Sequence, residues 1–201
     1  MARPKRIWSP DHYHHVVSRG NWRANLFEDE LDFISFLNIL HYTHRSSSLE
    51  IASYCLMSNH YHLMLKTQDA PLSKVMRNVN KYYADYYNKK YQVQGHLFEK
   101  RFYSKPIYDL YGLLEVSRYI HLNPVEANIT NAPQQYRWSS FPFYYYSQPQ
   151  SPDYLNLKPI TELFSGETES KQKQNYCRWM VNDLFSKKFV RTYPYKSTGP
   201  L

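Results

Sequence analysis

The sequence contains little cysteine and no long apolar segment. Its two cysteines, Cys55 and Cys177, do not form a Cys-x-x-Cys pair, which argues against a disulfide framework and against a thiolate zinc site. No apolar run approaches the roughly 20 residues that span a bilayer, and the basic residues 1–6 are not followed by the apolar stretch of a signal peptide. We therefore predict a soluble, cytoplasmic protein, for which 42% hydrophobic residues supply a core.

Acidic residues are also in short supply. The chain has 17 acidic residues against 25 lysines and arginines, and residues 71–110 contribute +5 of the formal net charge of +8. The same segment contains seven tyrosines and two phenylalanines. Basic side chains between aromatic rings are typical of proteins that bind single-stranded nucleic acid, because the cations contact phosphates and the rings stack on bases. A tyrosine-rich core helix with a solvated basic face explains the pattern equally well.

The hydrophobic pattern predicts an α+β protein. Strands are predicted where short alternating segments end in turn residues, and helices where apolar residues recur at helical spacing. The first six elements follow the ferredoxin-like split-βαβ order, which gives an antiparallel four-stranded sheet with two helices on one face. A seventh element is an added helix that must cross the sheet. The predicted elements are strand 12–18, helix 28–45, strands 49–57 and 60–66, helix 71–91, strand 102–107 and a helix from 110 to about 122.

The tripeptide His60-Tyr61-His62 is a candidate metal site. Alternate residues of a strand share a face, so His60 and His62 would point the same way, and two imidazoles on one face can hold a divalent cation. The tripeptide His12-Tyr13-His14 has the same form, and either pair could be ordinary core or surface histidines. The second pair is favoured because it follows the turn Ser58-Asn59, which supports its place on a hairpin strand.

Tyr119 lies on the predicted seventh element. Glu115 and Asn123 are four residues away on either side, so all three share one helix face. Asn123 offers an amide oxygen that could complete a metal site with the two histidines, and Glu115 or His121 could do so instead. Because Pro124 disfavours the helical conformation of the residue before it, we expect the helix to end at or just before Asn123. From spacing alone, Tyr119 is one tyrosine among 21.

Five short motifs occur in the order that one protein family shows. They are Ser18-Arg19-Gly20-Asn21, Ser58-Asn59-His60-Tyr61-His62-Leu63, Gly95-His96-Leu97-Phe98, Tyr119-Ile120-His121-Leu122-Asn123-Pro124 and Tyr136-Arg137-Trp138-Ser139-Ser140. Residues 1–145 thereby resemble the single-tyrosine HUH transposases, in the branch that includes the REP-associated tyrosine transposases. The resemblance implies a catalytic domain in residues 1–145 on the ferredoxin-like fold. Residues 146–201 would form a proline- and aromatic-rich, helical extension of unknown role.

The resemblance also implies a chemistry and its residues. Tyr119 matches the nucleophile, which attacks a phosphate of single-stranded DNA beside a hairpin and forms a 5′-phosphotyrosine. His60 and His62 match the metal-binding pair, and Asn123 matches the polar ligand one turn beyond the tyrosine. The mixed nitrogen and oxygen ligands suit Mg²⁺ or Mn²⁺, and a homodimer is one expected assembly.

Basic residues have two expected roles in this chemistry. A free tyrosine has a pKa of about 10, so a nearby positive charge such as Arg118 or Lys105 would favour its ionisation. Others would grip the DNA phosphates. The candidate DNA contacts are Arg3, Lys5, Arg6, Arg19, Lys74, Arg77, Lys81, Lys100, Arg101 and Lys105.

Three other functions fit the same residues. One is a domesticated protein that binds hairpin DNA without turnover. Another is a nickase like the initiators of replication, which would share the arrangement of tyrosine and histidines. The third is a metal-dependent nuclease that uses water as its nucleophile, with Tyr119 in a structural role.

Overall fold

Residues 8–182 are described by a computed structural model, and they form one four-stranded sheet flanked by helices. All strand pairs are antiparallel and the order is β2-β3-β1-β4, which is the ferredoxin-like arrangement. The predicted α+β fold class is therefore confirmed. The main elements are β1 His14–Arg19, α1 Glu30–Ser47, β2 Leu49–Met57, β3 His60–Thr67, α2 Leu72–Tyr91, β4 Tyr103–Pro106 and α3 Leu110–Glu126; three shorter helices follow, α4 Phe141–Tyr145, α5 Lys158–Thr161 and α6 Glu169–Asn182.

The two faces of the sheet have different tasks. Tyr61 on β3 is fully buried, and its ring lies 4.7 Å from that of Phe36 on α1, so this face packs against α1 and α2. His60 and His62 alternate with Tyr61 and therefore point to the opposite face. There the helix α3 covers the sheet, and the Oγ atoms of Ser53 on β2 and Ser117 on α3 are 2.8 Å apart. The added helix has crossed the sheet as predicted.

Four tyrosines of α2 serve the packing of α1 on α2. Asp32 is buried at the start of α1; burial raises the pKa of its carboxyl, but hydrogen bonds from Lys90, a backbone amide and two tyrosines lower it overall. The Asp32 carboxylate thus stays charged within a satisfied network. These tyrosines therefore have the role of core residues, and not that of exposed rings on which bases could stack. Tyr83 is fully buried, Tyr86 and Tyr91 donate to Asp32, and Tyr87 donates to Glu28.

Helix α3 runs through Pro124 and ends at Glu126. The prediction that it ends at or before Asn123 was wrong. A proline near a helix end removes only one backbone donor, and Pro124 is buried here, so its ring contributes packing. The next turn is closed by the Ala127 amide, which donates to the Asn123 carbonyl at 3.0 Å. The i+4 relation between Tyr119 and Asn123 is therefore kept.

The segment after α4 packs against the edge of the sheet and the back of α3. The Ile51 amide donates to the Tyr154 carbonyl, and the Asn156 amide donates to the Ile51 carbonyl, both at 2.8 Å. These bonds cover part of the outer edge of β2, which would otherwise expose unpaired backbone groups. Over residues 8–182, none of the helices combines the length and the hydropathy that crossing a bilayer would require.

Candidate active site

His60 and His62 project side by side from β3, in the middle of the sheet. Their ring centroids are 5.0 Å apart and the rings are nearly perpendicular. The Nδ1 atom of His60 lies 2.7 Å from Oδ1 of Asn59. Because an amide oxygen only accepts hydrogen bonds, Nδ1 carries the proton and Nε2 keeps its lone pair. Asn59 thus fixes the tautomer that leaves Nε2 of His60 available to a cation.

Both imidazoles are neutral at physiological pH. The pKa of His60 is lowered to about 4, mainly by burial and also by the charge of Arg19, while a hydrogen bond with Asn123 acts in the opposite direction. Burial also holds the pKa of His62 well below its usual range, with help from the neighbouring histidines and Arg19. Metal ligation needs the neutral imidazole. A cation would therefore compete with protons for these two histidines only under acidic conditions.

Asn123 reaches the histidines from α3. Its Nδ2 donates to the Tyr119 carbonyl at 2.7 Å, and its side chain also hydrogen bonds His60. Two imidazole nitrogens and an amide oxygen form a mixed donor set that suits Mn²⁺ or Mg²⁺. Within residues 8–182, no three His, Cys, Asp or Glu side chains are grouped so that they could hold a metal ion.

Tyr119 lies directly over the histidines. Its ring centroid is 5.3 Å from that of His62, and the two rings meet edge to face. The ring is half-buried, which leaves part of it accessible to a substrate. The structure therefore brings Tyr119, His60, His62 and Asn123 together, although they come from elements about sixty residues apart.

His15 on β1 is a fourth aromatic member of this cluster, and sequence reasoning missed it. Its Nε2 is 3.1 Å from Nδ1 of His62, the two rings stack at 5.3 Å, and its ring is 5.7 Å from that of Tyr119. Burial and the charge of Lys105 lower the pKa of His15 to about 3, so it is neutral and can accept the Nδ1 proton of His62. That bond would free Nε2 of His62 for a cation.

The alternation of β1 could have revealed His15. Residues 15, 17 and 19 share a face in any strand, and Val17 lies opposite His62 while Arg19 lies opposite His60. The other His-x-His motif contributes neither of its histidines: His14 is on the opposite face, and His12 lies before the strand against the Tyr108 ring at 5.2 Å.

The basic residues predicted at the site have separate positions. Arg19 acts electrostatically on both His60 and His62, and Lys105 acts on His15. Arg118 instead places its guanidinium 5.3 Å from the Trp179 ring centroid on α6. This contact places the Arg118 guanidinium beside α6. Arg3, Lys5 and Arg6 lie outside the described residues.

The remaining five predicted DNA contacts line one groove. It has a volume of about 900 Å³ and lies between α2 and the loop 95–102. The loop reaches the site, because the Glu99 amide donates to the Arg19 carbonyl at 3.0 Å and the Asn21 amide to the Leu97 carbonyl at 2.8 Å. The loop that borders the groove is therefore hydrogen bonded to the end of β1, where Arg19 lies beside the histidines. The basic residues in the groove lining are Lys74, Arg77, Lys81, Lys100 and Arg101.

A buried polar network holds the back of α3. His121 has one ring nitrogen 2.7 Å from the Tyr176 hydroxyl and the other 2.7 Å from Oγ of Ser140. Tyr176 is also 2.8 Å from Oγ of Ser117, which in turn contacts Ser53 on β2. Burial lowers the pKa of His121 to about 3. His121 is therefore a neutral structural residue, and it is not a metal ligand.

We expect Tyr176→Phe to lower the free energy of unfolding by about 1–3 kcal/mol, because buried partners of the lost hydroxyl stay unsatisfied. Urea unfolding measures this loss. The matched control is Tyr145→Phe, since that side chain is 48% exposed and its change should stay within about 0.5 kcal/mol. Equal stabilities of the two variants would mean that the network does not hold α3.

Comparisons with known proteins identify a family and a shared fold. The family model described as "Transposase IS200 like" matches residues 9–123. A solved structure described as the REP-associated tyrosine transposase bound to a REP hairpin has a TM-score of 0.62 and 16% identity, and covers 78% of this chain and 92% of that chain. At this identity the likeness shows a shared fold. None of the curated proteins matches the chain.

Proposed function

We propose, from the premise that this chain belongs to the family of IS200-like transposases, that it cleaves and rejoins single-stranded DNA through a covalent bond to Tyr119. The observation that supports this most is the contact of the Tyr119 ring with His62, at 5.3 Å, on a platform that also carries His60. A nucleophile beside neutral, oriented imidazoles is the arrangement that such chemistry needs.

In the proposed reaction, the Tyr119 oxygen attacks the phosphorus in line with the bond to the 3′ oxygen of the preceding nucleotide. The tyrosine proton is lost, the phosphorus–oxygen bond breaks, and the leaving oxygen takes up a proton as a 3′-hydroxyl. The 5′-phosphotyrosine keeps the energy of the broken bond, so another 3′-hydroxyl can reverse the step and join new strands. Mg²⁺ or Mn²⁺ held by His60, His62 and Asn123 would supply Lewis-acid polarisation of the phosphate.

The residues around Tyr119 prepare this step. Asn59 and His15 orient the two imidazoles through hydrogen bonds. Arg19 lies opposite His60 on the same face of the sheet, and in the proposed reaction its guanidinium contacts a phosphate oxygen. The Tyr119 backbone is held by Asn123. Such fixed positioning provides much of the rate in phosphoryl transfer.

For the substrate, we propose a DNA hairpin with an unpaired flank. The structural neighbour was solved with a REP hairpin, and the groove beside α2 offers five basic side chains. Two of these are engaged by acids, since Lys81 pairs with Asp85 at 2.6 Å and Lys100 with Glu99 at 3.5 Å. Within residues 8–182, Lys74 and Arg77 have no such partner, which leaves them ready for phosphates.

Removing both of those charges should flatten the salt dependence of DNA binding. For Lys74→Ala/Arg77→Ala we expect the slope of log K against log salt to fall by about 1.4, because each lost contact to a single strand is worth about 0.7. Fluorescence anisotropy at several salt concentrations measures it. The control Lys89→Ala/Lys171→Ala removes the same charge from exposed sites outside the groove. A slope equal to that of the control would rule out the groove as the phosphate-binding surface.

We propose that residues 146–201 are a supporting extension of the catalytic domain in residues 1–145. The contacts of Tyr176 with His121 and Ser117 support this for the described part of the segment. We further propose that one chain suffices for cleavage, because Tyr119 contacts the histidines of its own chain. Sharing of the tyrosine between the subunits of the predicted homodimer has a direct test: mixed Tyr119→Phe and His62→Gln subunits regain adduct formation only if the tyrosine of one subunit acts at the histidines of the other.

The proposed function is tested by adduct formation on labelled hairpin DNA with single-stranded flanks, with Mg²⁺, Mn²⁺ or EDTA, followed by denaturing electrophoresis. A 3′ label should stay on the protein and a 5′ label should leave on a fragment with a free 3′-hydroxyl. Metal-dependent cleavage without an adduct would favour the water-using nuclease. Salt-sensitive binding with neither cleavage nor adduct would favour the hairpin-binding protein. An adduct without rejoining to a second strand would favour the nickase.

A further inference from the structure

Trp22 is the most exposed large apolar side chain in the described part of the chain. Its exposed fraction is 91%, and its ring has no aromatic or cationic partner within residues 8–182. An indole left in water costs free energy that burial against another surface would recover. A single exposed apolar residue is common on proteins, but Trp22 is carried by an unusual turn beside the candidate active site.

The turn that carries Trp22 is closed by hydrogen bonds and has a strained backbone. Trp22 and Arg23 both have left-handed backbone conformations, with φ of 52° and 59°, which are unfavourable for residues that have a Cβ. The turn is closed by the Arg23 amide on the Gly20 carbonyl at 3.1 Å and the Ala24 amide on the Asn21 carbonyl at 2.9 Å. A Cβ on Gly20 would lie 2.0 Å from the Ala24 carbonyl oxygen, so this close turn requires glycine.

The turn is tied to the candidate active site through Asn59. Asn59 accepts from the Gly20 amide at 2.9 Å through its carbonyl, and its Nδ2 donates to the Arg23 carbonyl at 3.3 Å. The same side chain uses Oδ1 to orient His60. One asparagine therefore holds both a proposed metal ligand and the turn that presents Trp22. Arg19, which faces the histidines, directly precedes this turn.

The turn is also tied to the basic groove. The Asn21 amide donates to the Leu97 carbonyl at 2.8 Å, and Gly20 forms a strand-like bridge with Phe98. Leu97 and Phe98 line the groove. Trp22 therefore stands on the connection between the cleavage site and the groove proposed to grip phosphates. A strand that contacts both would pass the turn.

We propose that Trp22 is a stacking platform for one unpaired base of the single-stranded flank next to the scissile phosphate. The inference rests on the proposed function. A flat, exposed ring suits a base of any identity, because every base offers a π face, and the exposed Arg23 beside it places a charge next to the sugar–phosphate backbone. The closed turn holds the backbone that carries the ring in one place, so that a base stacked on the ring would present the next phosphate to Tyr119 in one register.

The test is a binding measurement on a hairpin with six unpaired thymidines on each side, in a Tyr119→Phe background with EDTA so that turnover does not contribute. In a set of probes, each flank nucleotide in turn is replaced by an abasic residue. We expect one abasic position to weaken binding about tenfold, and Trp22→Ala to weaken binding of the intact probe by the same factor. When the protein carries Trp22→Ala, the abasic replacement at that position should cause no further loss of affinity.

Two further variants sharpen the result. Trp22→Phe keeps a ring and should retain most of the affinity, whereas Tyr42→Ala removes a 62% exposed ring from α1 and should behave as the parent. The proposal is overturned if Trp22→Ala binds like the parent, if it loses affinity equally against every abasic probe, or if Trp22→Phe is as weak as Trp22→Ala. The adduct assay reports on Tyr119 and this one on Trp22, so either can fail alone.

Discussion

Tyr119→Phe should abolish the covalent protein–DNA adduct and lower strand cleavage by about 10³-fold or more, the scale seen when a nucleophile is removed from an enzyme. The substitution deletes one oxygen atom. The ring keeps its edge-to-face contacts with His15 and His62, and the backbone carbonyl still accepts from Asn123. DNA affinity should therefore stay within about twofold of the parent, because phosphate contacts provide most of it.

The matched control is Tyr111→Phe, which makes the same change on the same helix at a side chain that is 55% exposed. We expect this variant to form adduct at the parent rate. Denaturing gels with a 3′-labelled strand measure both variants, and anisotropy measures binding. If Tyr119→Phe still cleaves while forming no adduct, water is the nucleophile and the tyrosine mechanism is wrong.

His62→Gln should weaken Mn²⁺ binding by at least about 100-fold, since even residues that only orient a ligand contribute 10- to 100-fold. His62 is 1% exposed and its imidazole is neutral, so protons would not compete with the proposed cation for its ring nitrogen at physiological pH. Glutamine keeps a polar side chain beside His15, which limits the damage to the fold. Isothermal titration with Mn²⁺ measures affinity independently of turnover, and adduct formation should fall with it.

His12→Gln is the control for this substitution. His12 belongs to the other His-x-His motif, and it lies outside the cluster, where its Nδ1 is 2.9 Å from Oγ of Ser9. Mn²⁺ affinity and adduct yield should both match the parent. If His12→Gln weakens Mn²⁺ binding as strongly as His62→Gln, the titration is reporting general histidine binding and the assignment of the site fails.

The secondary structure was largely predictable because local signals agree with it. The strand 49–57 was predicted with the bounds that the structure has, and β3 and α2 differ by one residue at an end. The family that five motifs predicted is also confirmed by the match over residues 9–123. Motifs and hydrophobic periods are properties of short windows of sequence, and they need no knowledge of packing.

The sequence predicts the structure less well where a residue's position depends on neighbours that are distant in sequence. The end of α3 is predicted too early, because Pro124 disfavours a helical conformation at Asn123. Burial of Pro124 and the hydrogen bond from the Ala127 amide to the Asn123 carbonyl outweigh that preference. The sequence does not tell whether the tyrosines of α2 pack in the core or stack on bases. The hydrogen bonds of Tyr86 and Tyr91 to Asp32 on α1 decide this, and they join residues that are distant in sequence. For the end of α3 and for the tyrosines of α2, the local sequence pattern would look the same whichever structure formed.

The order of the elements, the family and the candidate tyrosine and histidines can be read from the amino-acid sequence. The positions of His15 in the cluster, of Arg118 against Trp179 and of Trp22 between site and groove depend on how the chain packs. The physical reason is that a period of two or 3.6 fixes which face of an element a side chain takes. Which two faces meet depends on strand register and on the crossing of α3, and these are set by the packing of the whole core.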